Sequence, residues 1–331
     1  MLTPITPRPG HDRPVVAVVG ETKGGSEVTD FIIPCSILQR SGSFQVLTVG
    51  TQSTTLPLIQ GSFSIQTDHT LASFDAVFPE GSDIVIVPNQ INQKDPLLKS
   101  WILAQSDKGA KLVGVCDGVW SLVNAGVLKD KAGTTHWFTR AGLEKAGVKV
   151  VKNQRYVEDG NVITTAGVTA SIPVSLAIVQ AVGGAEEARR VAEEVGVVGG
   201  WGSEYDGSMF SVGKLVPKII QSSLVWHKDI VGLEVVEGVD ELTLAVVADV
   251  FHRTGATKVV TYGSGDFIVS KNGIKIIPGE KVLPVCGKSV ALDTGKPVQV
   301  LDGILQDVSK KYGKASAIRA AIEMEYPPYF D

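Results

Sequence analysis

Short runs of consecutive apolar residues alternate with longer stretches of helical period through the first two hundred residues. Pro14 to Gly20 (PVVAVVG), Phe44 to Gly50 (FQVLTVG), Asp83 to Pro88 (DIVIVP) and Lys111 to Val115 (KLVGV) read as strands buried on both faces. Between them, Ser26 to Gly42 reads as a helix that Ser26 caps and Gly42 ends. Asp95 to Ser106 reads as another, with Pro96 in its first turn and Leu97, Leu98, Trp101, Ile102 and Leu103 apolar. Strand, helix and strand in succession predict a parallel sheet with helices on its faces.

Further along, Val148 to Lys152, Arg155 to Asp159 and Val162 to Thr165 read as short strands, the last two joined by an Asp159-Gly160 hairpin signal. Phe138 to Ala146 is helix-like, and two helices follow, Ser171 to Val182 and Ala185 to Val195. The pattern divides the chain into a Pro-rich, disordered lead-in (1–13), an α/β domain (14–198), a Gly-rich connector (199–228, containing GGWGSEYDGS) and a last unit (229–331).

The centre of the domain is Lys111 to Trp137, KLVGVCDGVWSLVNAGVLKDKAGTTHW. A buried strand delivers Cys116 to a Cys-Asp-Gly turn, and a helix begins at once (Val119, Leu122, Val123, Val127, Leu128). A thiol there faces unpaired backbone N–H groups and the positive end of a helix dipole, which favour thiolate. Gly114 and Gly118 frame it as Gly-x-Cys-x-Gly, the spacing of a nucleophile elbow. Cys116 is therefore the candidate nucleophile, against the alternative that a cysteine after Val and Leu is inert core.

Asp30, in the first turn of the first helix, either complements that helix's dipole or faces the carboxyl edge of the sheet, where ligands bind in open α/β folds. The polar loop from Asn89 to Lys94 leaves the same edge, so Asp30, Asn89 and Cys116 are expected to converge. His136, after Thr134 and Thr135, is either a structural hydrogen-bonder or the imidazole partner of Cys116.

The last third repeats the first domain incompletely. GSFQVLTVG (Gly42 to Gly50) aligns with GATKVVTYG (Gly255 to Gly263) at an offset of 213 residues, and ILQRSG aligns with VFHRTG. QGSFSIQTDHTL resembles NGIKIIPGEKVL, and ILQDV (Ile304 to Val308) resembles IVQAV (Ile178 to Val182). No room remains after Leu283 for a second elbow, and Thr243 stands where Asp30 would be. The second copy reads as a structural or partner-binding appendage.

With 331 residues, 20% charged, a net charge of −4 and a pI near 5.8, the chain has no electrostatic footprint for nucleic acid and no signal-peptide pattern. Neither nucleic acid nor membrane is an expected partner, and the expected location is the cytoplasm. Cys35, Cys116 and Cys286 fit neither a disulfide framework nor a metal-ligand spacing, so no metal or organic cofactor is expected. CGKS (Cys286 to Ser289) lacks the upstream glycine of a phosphate loop, and Cys286 and Cys35 both read as core.

TDFIIPCSIL, VCDGVWSLVNAGVL, TTHW, TTAGVTASIPVSLAIV and EMEYPPYF together resemble the ThiJ/PfpI superfamily, in its branch of isocyanide hydratases and AraC-type regulator sensor domains. The resemblance implies a three-layer α/β sandwich with a parallel sheet, flavodoxin-like and class I glutamine amidotransferase-like, here carrying a C-terminal incomplete repeat. It implies Cys116 as nucleophile, Asp30 as the acid bonded to its sulfur, His136 as the family histidine, and the backbone N–H groups of Asn89 and Asp117 as oxyanion hole. Gly118, Gln90, Thr135, Trp137 and Thr169 would line the pocket for a small-molecule substrate. Asp117 replaces that branch's Thr, and Asn89-Gln90 its Gly-Gly. The resemblance also implies either a homodimer or a monomer whose half-repeat replaces the partner. The function expected is that of a cysteine-dependent hydrolase or hydratase, with a non-enzymatic ligand-binding or redox-responsive protein as the alternative; a glyoxalase-like activity is disfavoured because no histidine directly follows Cys116.

Overall fold

Seven strands form the central sheet in the spatial order Tyr156–Asp159, Val162–Thr165, Lys111–Gly114, Ile84–Val87, Val15–Gly20, Gln45–Gly50 and His69–Thr70. All neighbours are parallel except the hairpin of the first pair, where Asp159 opposes Val162. The computed structural model describes residues 1–223, 228–292 and 295–327. Alternation along each strand feeds two cores: Val16 and Val18 enter one, Val15, Ala17 and Val19 the other. The helices Pro96–Asp107 and Val119–Asn124 cover the second face, and Val28–Ser41 with Ser171–Val195 cover the first. The fold is the three-layer α/β sandwich expected.

The second copy is a three-stranded parallel sheet ordered Thr257–Tyr262, Asp229–Glu234 and Gly287–Val290, with the helix Glu241–Arg253 and two terminal helices, Pro297–Tyr312 and Lys314–Glu323. Its order matches the middle of the large sheet. Helix Glu241–Arg253 packs against its own counterpart, Val28–Ser41. The hairpin strands also meet their counterparts, because Lys275–Pro278 runs antiparallel to Phe63–Gln66 with Lys275 opposite Gln66 and Pro278 opposite Phe63.

These contacts are reciprocal. Arg40 reaches Asp240 (2.6 Å) while Arg253 reaches Glu27 (2.9 Å), and each arginine and each acid is separated from its counterpart by the same 213 residues. Such self-complementarity is the mark of an isologous two-fold interface. Here it lies within a single chain.

Four local expectations change. Residues 1–13 are not a disordered lead-in: Leu2 is buried in the core, Ile5 N donates to Ala181 O (3.1 Å), and Arg8 N and His11 Nδ1 bond the Asp83 carboxylate (2.8 and 2.7 Å). Ser26 does not cap the first helix: its hydroxyl donates to Gln90 Oε1 (2.6 Å), and Glu27 is the cap, accepting from Asp30 N (2.6 Å). The connector contains a helix, Val212–Ser223, whose Leu215 packs with Trp137, Phe210 and Ile322. Cys286 is exposed, whereas Cys35 is buried as expected. Cys286 lies in the segment that joins Lys275–Pro278 to Gly287–Val290, two strands of different sheets, directly before the second of them begins.

Candidate active site

Strand Lys111–Gly114 passes through Val115, whose N–H donates to Val87 O (3.0 Å), into a single turn of 3-10 helix, Cys116–Gly118. Cys116 takes φ 54°, a left-handed backbone that a side-chain-bearing residue adopts at a cost of about 1–2 kcal/mol. Two threonines hold it there: Cys116 N donates to Thr165 Oγ1 (3.0 Å), and Thr135 Oγ1 donates to Cys116 O (2.8 Å). Gly118 is required by close approach, since a Cβ would stand 2.0 Å from Val87 O. The sharp strand-to-helix turn is thus built from its neighbours.

Asp30 is fully buried. Its Oδ2 accepts from Asn89 N (3.3 Å), and its Oδ1 has no hydrogen-bond partner among the described residues. The structure therefore spends the Asn89 N–H on the acid, where an oxyanion donor was expected. No hydrogen bond joins Asp30 to the Cys116 sulfur among the described residues; the two are linked electrostatically.

That coupling sets the state of the thiol. Burial raises the Cys116 pKa well above its ordinary value, Asp30, Asp117 and Glu27 raise it further, and Arg253 alone opposes them. The helix after the turn has only six residues, so its dipole is short. Burial and the neighbouring acids thus favour the thiol, against the backbone N–H groups of the turn, which favour thiolate. Asp30 is also pushed well above the carboxylate range by burial and by Glu27, and Glu27 is pushed up to about 7 by burial and Asp249. Arg253 brings the balancing charge, donating to Glu27 (2.9 Å) and Asp249 (2.7 Å).

His136 is turned away from the cysteine. Its Nε2 bonds Glu323 O (3.1 Å) and its Nδ1 accepts from Phe138 N (3.3 Å), so both ring nitrogens are engaged and no bond reaches Cys116 among the described residues. Burial lowers its pKa to about 3, with Arg253 adding to the effect. It holds chain and stays neutral, in place of the imidazole partner that the sequence suggested.

The expected pocket residues divide in the same way. Thr135 touches the elbow, and its hydroxyl also lies 3.1 Å from Asp117 Oδ1, which accepts from Thr139 Oγ1 (2.5 Å). Gln90 is 2% exposed and acts as a pin, donating to Val19 O and Pro88 O while its Oε1 takes Glu21 N. Trp137 Nε1 donates to Ile322 O, and Thr169 Oγ1 to Glu325 O. Glu325 completes this tie by accepting from Gly167 N (2.6 Å), Trp137 N (3.3 Å) and the Tyr205 hydroxyl. The walls beside Cys116 are bound to the C-terminal segment, and Cys116 is 5% exposed. Among the described residues no group of three His, Cys, Asp or Glu side chains has the geometry to hold a metal.

Sequence reasoning missed Glu27, Arg253, Asp249 and Glu325. For the first two a signal existed: an acid at the helix start and an arginine at its end recur in both copies at the same offset.

The DJ-1/PfpI family pattern matches residues 16–181. Isonitrile hydratase of Pseudomonas putida is 33% identical over 113 residues, which cover 33% of this chain and 49% of the hydratase, so the chain spans about half that relative's length. Protein DJ-1alpha of Drosophila melanogaster is 26% identical over 174 residues, covering 51% of this chain and 78% of that protein. The crystal structure of Drosophila melanogaster DJ-1beta superposes with a TM-score of 0.51 at 23% identity, over 56% of this chain and 99% of that one.

Proposed function

The chain belongs to the DJ-1/PfpI family, and from that premise we propose that it is a cysteine-dependent hydratase or hydrolase of a small electrophile, with an isocyanide as the favoured substrate class. The observation that carries this reading is the backbone of Cys116, held at φ 54° in a turn between strand and helix with a buried, singly bonded Asp30 coupled to it. Strained nucleophile turns of this kind cost stability and serve to present a side chain. The isonitrile hydratase similarity supports the substrate class.

In the proposed reaction Cys116 sulfur bonds to the terminal isocyanide carbon, and the thiol proton passes through the Asp30 carboxyl to that same carbon, leaving a thioimidate. Water then adds to the carbon, its oxygen forming the new bond and one of its protons moving to nitrogen. The C–S bond breaks as the hydroxyl proton returns to sulfur, releasing an N-substituted formamide. Because Asp30 has a raised pKa, it is suited to carry the proton in both directions. The Asp117 N–H remains the oxyanion donor of this reading.

Formamide production from cyclohexyl isocyanide, followed by proton NMR, tests it. Turnover by the native chain, lost in Cys116→Ala and reduced at least about a hundredfold in Asp30→Asn, is expected for general acid–base participation. Turnover that survives Cys116→Ala would remove the cysteine from the mechanism.

A second reading rests on the closure of the site. Cys116 is 5% exposed and surrounded by acids, as suits a cysteine that lines a pocket or is oxidised slowly. Absence of turnover, with sulfinic acid forming at Cys116 under dilute peroxide, would favour it.

A further inference from the structure

The largest consequence of the missing second elbow is a cavity. In the first copy the carboxyl edge of the sheet is filled by strand Lys111–Gly114 and the Cys116 turn. The second copy has neither, and the same edge of its small sheet opens into a cavity of about 760 Å³ between the start of helix Glu241–Arg253 and the end of strand Gly287–Val290. That volume is in the range of small-molecule sites.

The residues around it are the counterparts of the first site. Thr243 takes the place of Asp30, Asp240 that of Glu27, and Arg40 that of Arg253. Thr243 is 1% exposed, lines the cavity, and its hydroxyl has no hydrogen-bond partner among the described residues. An unmatched buried hydroxyl at the first turn of a thirteen-residue helix marks a place for a ligand acceptor.

We propose that this cavity is a second, non-catalytic binding site for an uncharged small molecule with an apolar body and a carbonyl group that accepts from Thr243. The charge balance selects the class. Arg40 is held by Asp240 and Glu194 (both 2.6 Å), Lys271 lies 3.9 Å from Asp240 and 3.7 Å from Glu194, and Arg190 also reaches Glu194 (3.3 Å), so both carboxylates are already paired with cations of the chain. Glu234, Glu237 and Lys296 stand at the solvated rim. Val239, Val290 and Pro297 supply apolar wall. The helix start and the Thr243 hydroxyl favour an acceptor, and among the described residues the charges that are drawn in from the rim are already paired with one another.

N-cyclohexylacetamide is the probe, titrated into the full chain by isothermal calorimetry beside cyclohexanecarboxylate and cyclohexylammonium. One equivalent of the amide is expected to bind, more tightly than either ion. Cys116→Ala should leave that binding intact. Thr243→Val keeps the shape and removes an unpaired buried hydroxyl, so it folds, and it should weaken the amide by about tenfold. Ala291→Trp, at an exposed wall position, should abolish it by filling the cavity. Binding that is lost in Cys116→Ala and unchanged in Ala291→Trp would move the ligand to the first site and overturn the proposal. Failure of the amide to saturate at millimolar concentration, or tighter binding of either ion, would overturn it as well.

Discussion

Arg253, the last residue of the second copy's helix, holds Glu27, the residue that caps the first copy's helix, with Nη2 2.9 Å from Oε1. Both side chains are nearly out of solvent, and Glu27 in turn accepts the Asp30 N–H at 2.6 Å. The half-repeat thereby supplies a cation that acts on both Asp30 and Cys116. It does so through the same contact by which Arg40 holds Asp240, so the internal interface and the chemistry of the first copy share one set of side chains.

Replacing Arg253 by Met should leave Glu27 and Asp249 as an uncompensated buried pair of acids. Removing one partner of such a pair costs about 3–5 kcal/mol, and urea unfolding at neutral pH should show a loss of that order. The Cys116 pKa should rise further, because Arg253 is the group that lowers it. A variant as stable as the native chain, with unchanged alkylation of Cys116, would show that the contact carries neither load.

Asp117 raises the Cys116 pKa, and its carboxylate is held by Thr139 and Thr135. Asn at this position keeps an oxygen for those hydroxyls and removes the charge. Alkylation of Cys116, read by peptide mass spectrometry against the exposed Cys286 as internal standard, should accelerate; each unit by which the pKa falls multiplies the thiolate population about tenfold. An unchanged rate would mean that access, and not charge, limits the thiol.

The parts of this site legible in the sequence are those encoded locally. Gly-Val-Cys-Asp-Gly announces a tight turn because Gly114 and Gly118 are the residues a crowded elbow needs, and Gly42 at φ 68° ends its helix as its position suggested. The repeat was visible because its first helix and the strand after it keep one offset, 213 residues. What could not be read were the choices made between distant groups. Ser26 looked like a cap, but Gln90, 64 residues away, takes its hydroxyl. His136 looked like a base, but its Nε2 meets a carbonyl 187 residues downstream. The helix Val212–Ser223 does carry apolar residues at helical spacing (Val212, Leu215, Val216, Ile219, Ile220), but Gly213 and Pro217 inside it and the Gly-rich stretch before it pointed to a connector, and Leu215 fixes it by packing with Trp137 and Ile322.

The strain at Cys116 is testable without any substrate. Gly normally destabilises relative to Ala, yet at φ 54° the balance should reverse by about 1 kcal/mol. Cys116→Gly should therefore unfold at the same or higher denaturant concentration than Cys116→Ala. If the alanine variant is the more stable by a comparable margin, the turn is relaxed and presents the thiol at no cost.

Stability should also depend on pH in a direction set by the buried acids. Glu27 has a folded pKa of about 7 against an ordinary 4.5, so the folded chain binds its proton more tightly than the unfolded one. That contribution is fully present below the unfolded value and is lost as pH rises through about 7, a fall of roughly 3 kcal/mol for one such group. Asp30, Asp117 and Glu325 are shifted upward as well, which reinforces the trend. His136 works the other way: lowered to about 3, it contributes stability above 6.5 that is lost as pH falls toward its folded value. Urea unfolding at about pH 5 and pH 8 should find the chain more stable at the lower value. Glu27→Gln should shrink that difference, since an amide still accepts the Asp30 N–H but has no proton to lose. A native chain more stable at the higher pH, or a Glu27→Gln variant with the native slope, would show that Arg253 keeps Glu27 ionised throughout.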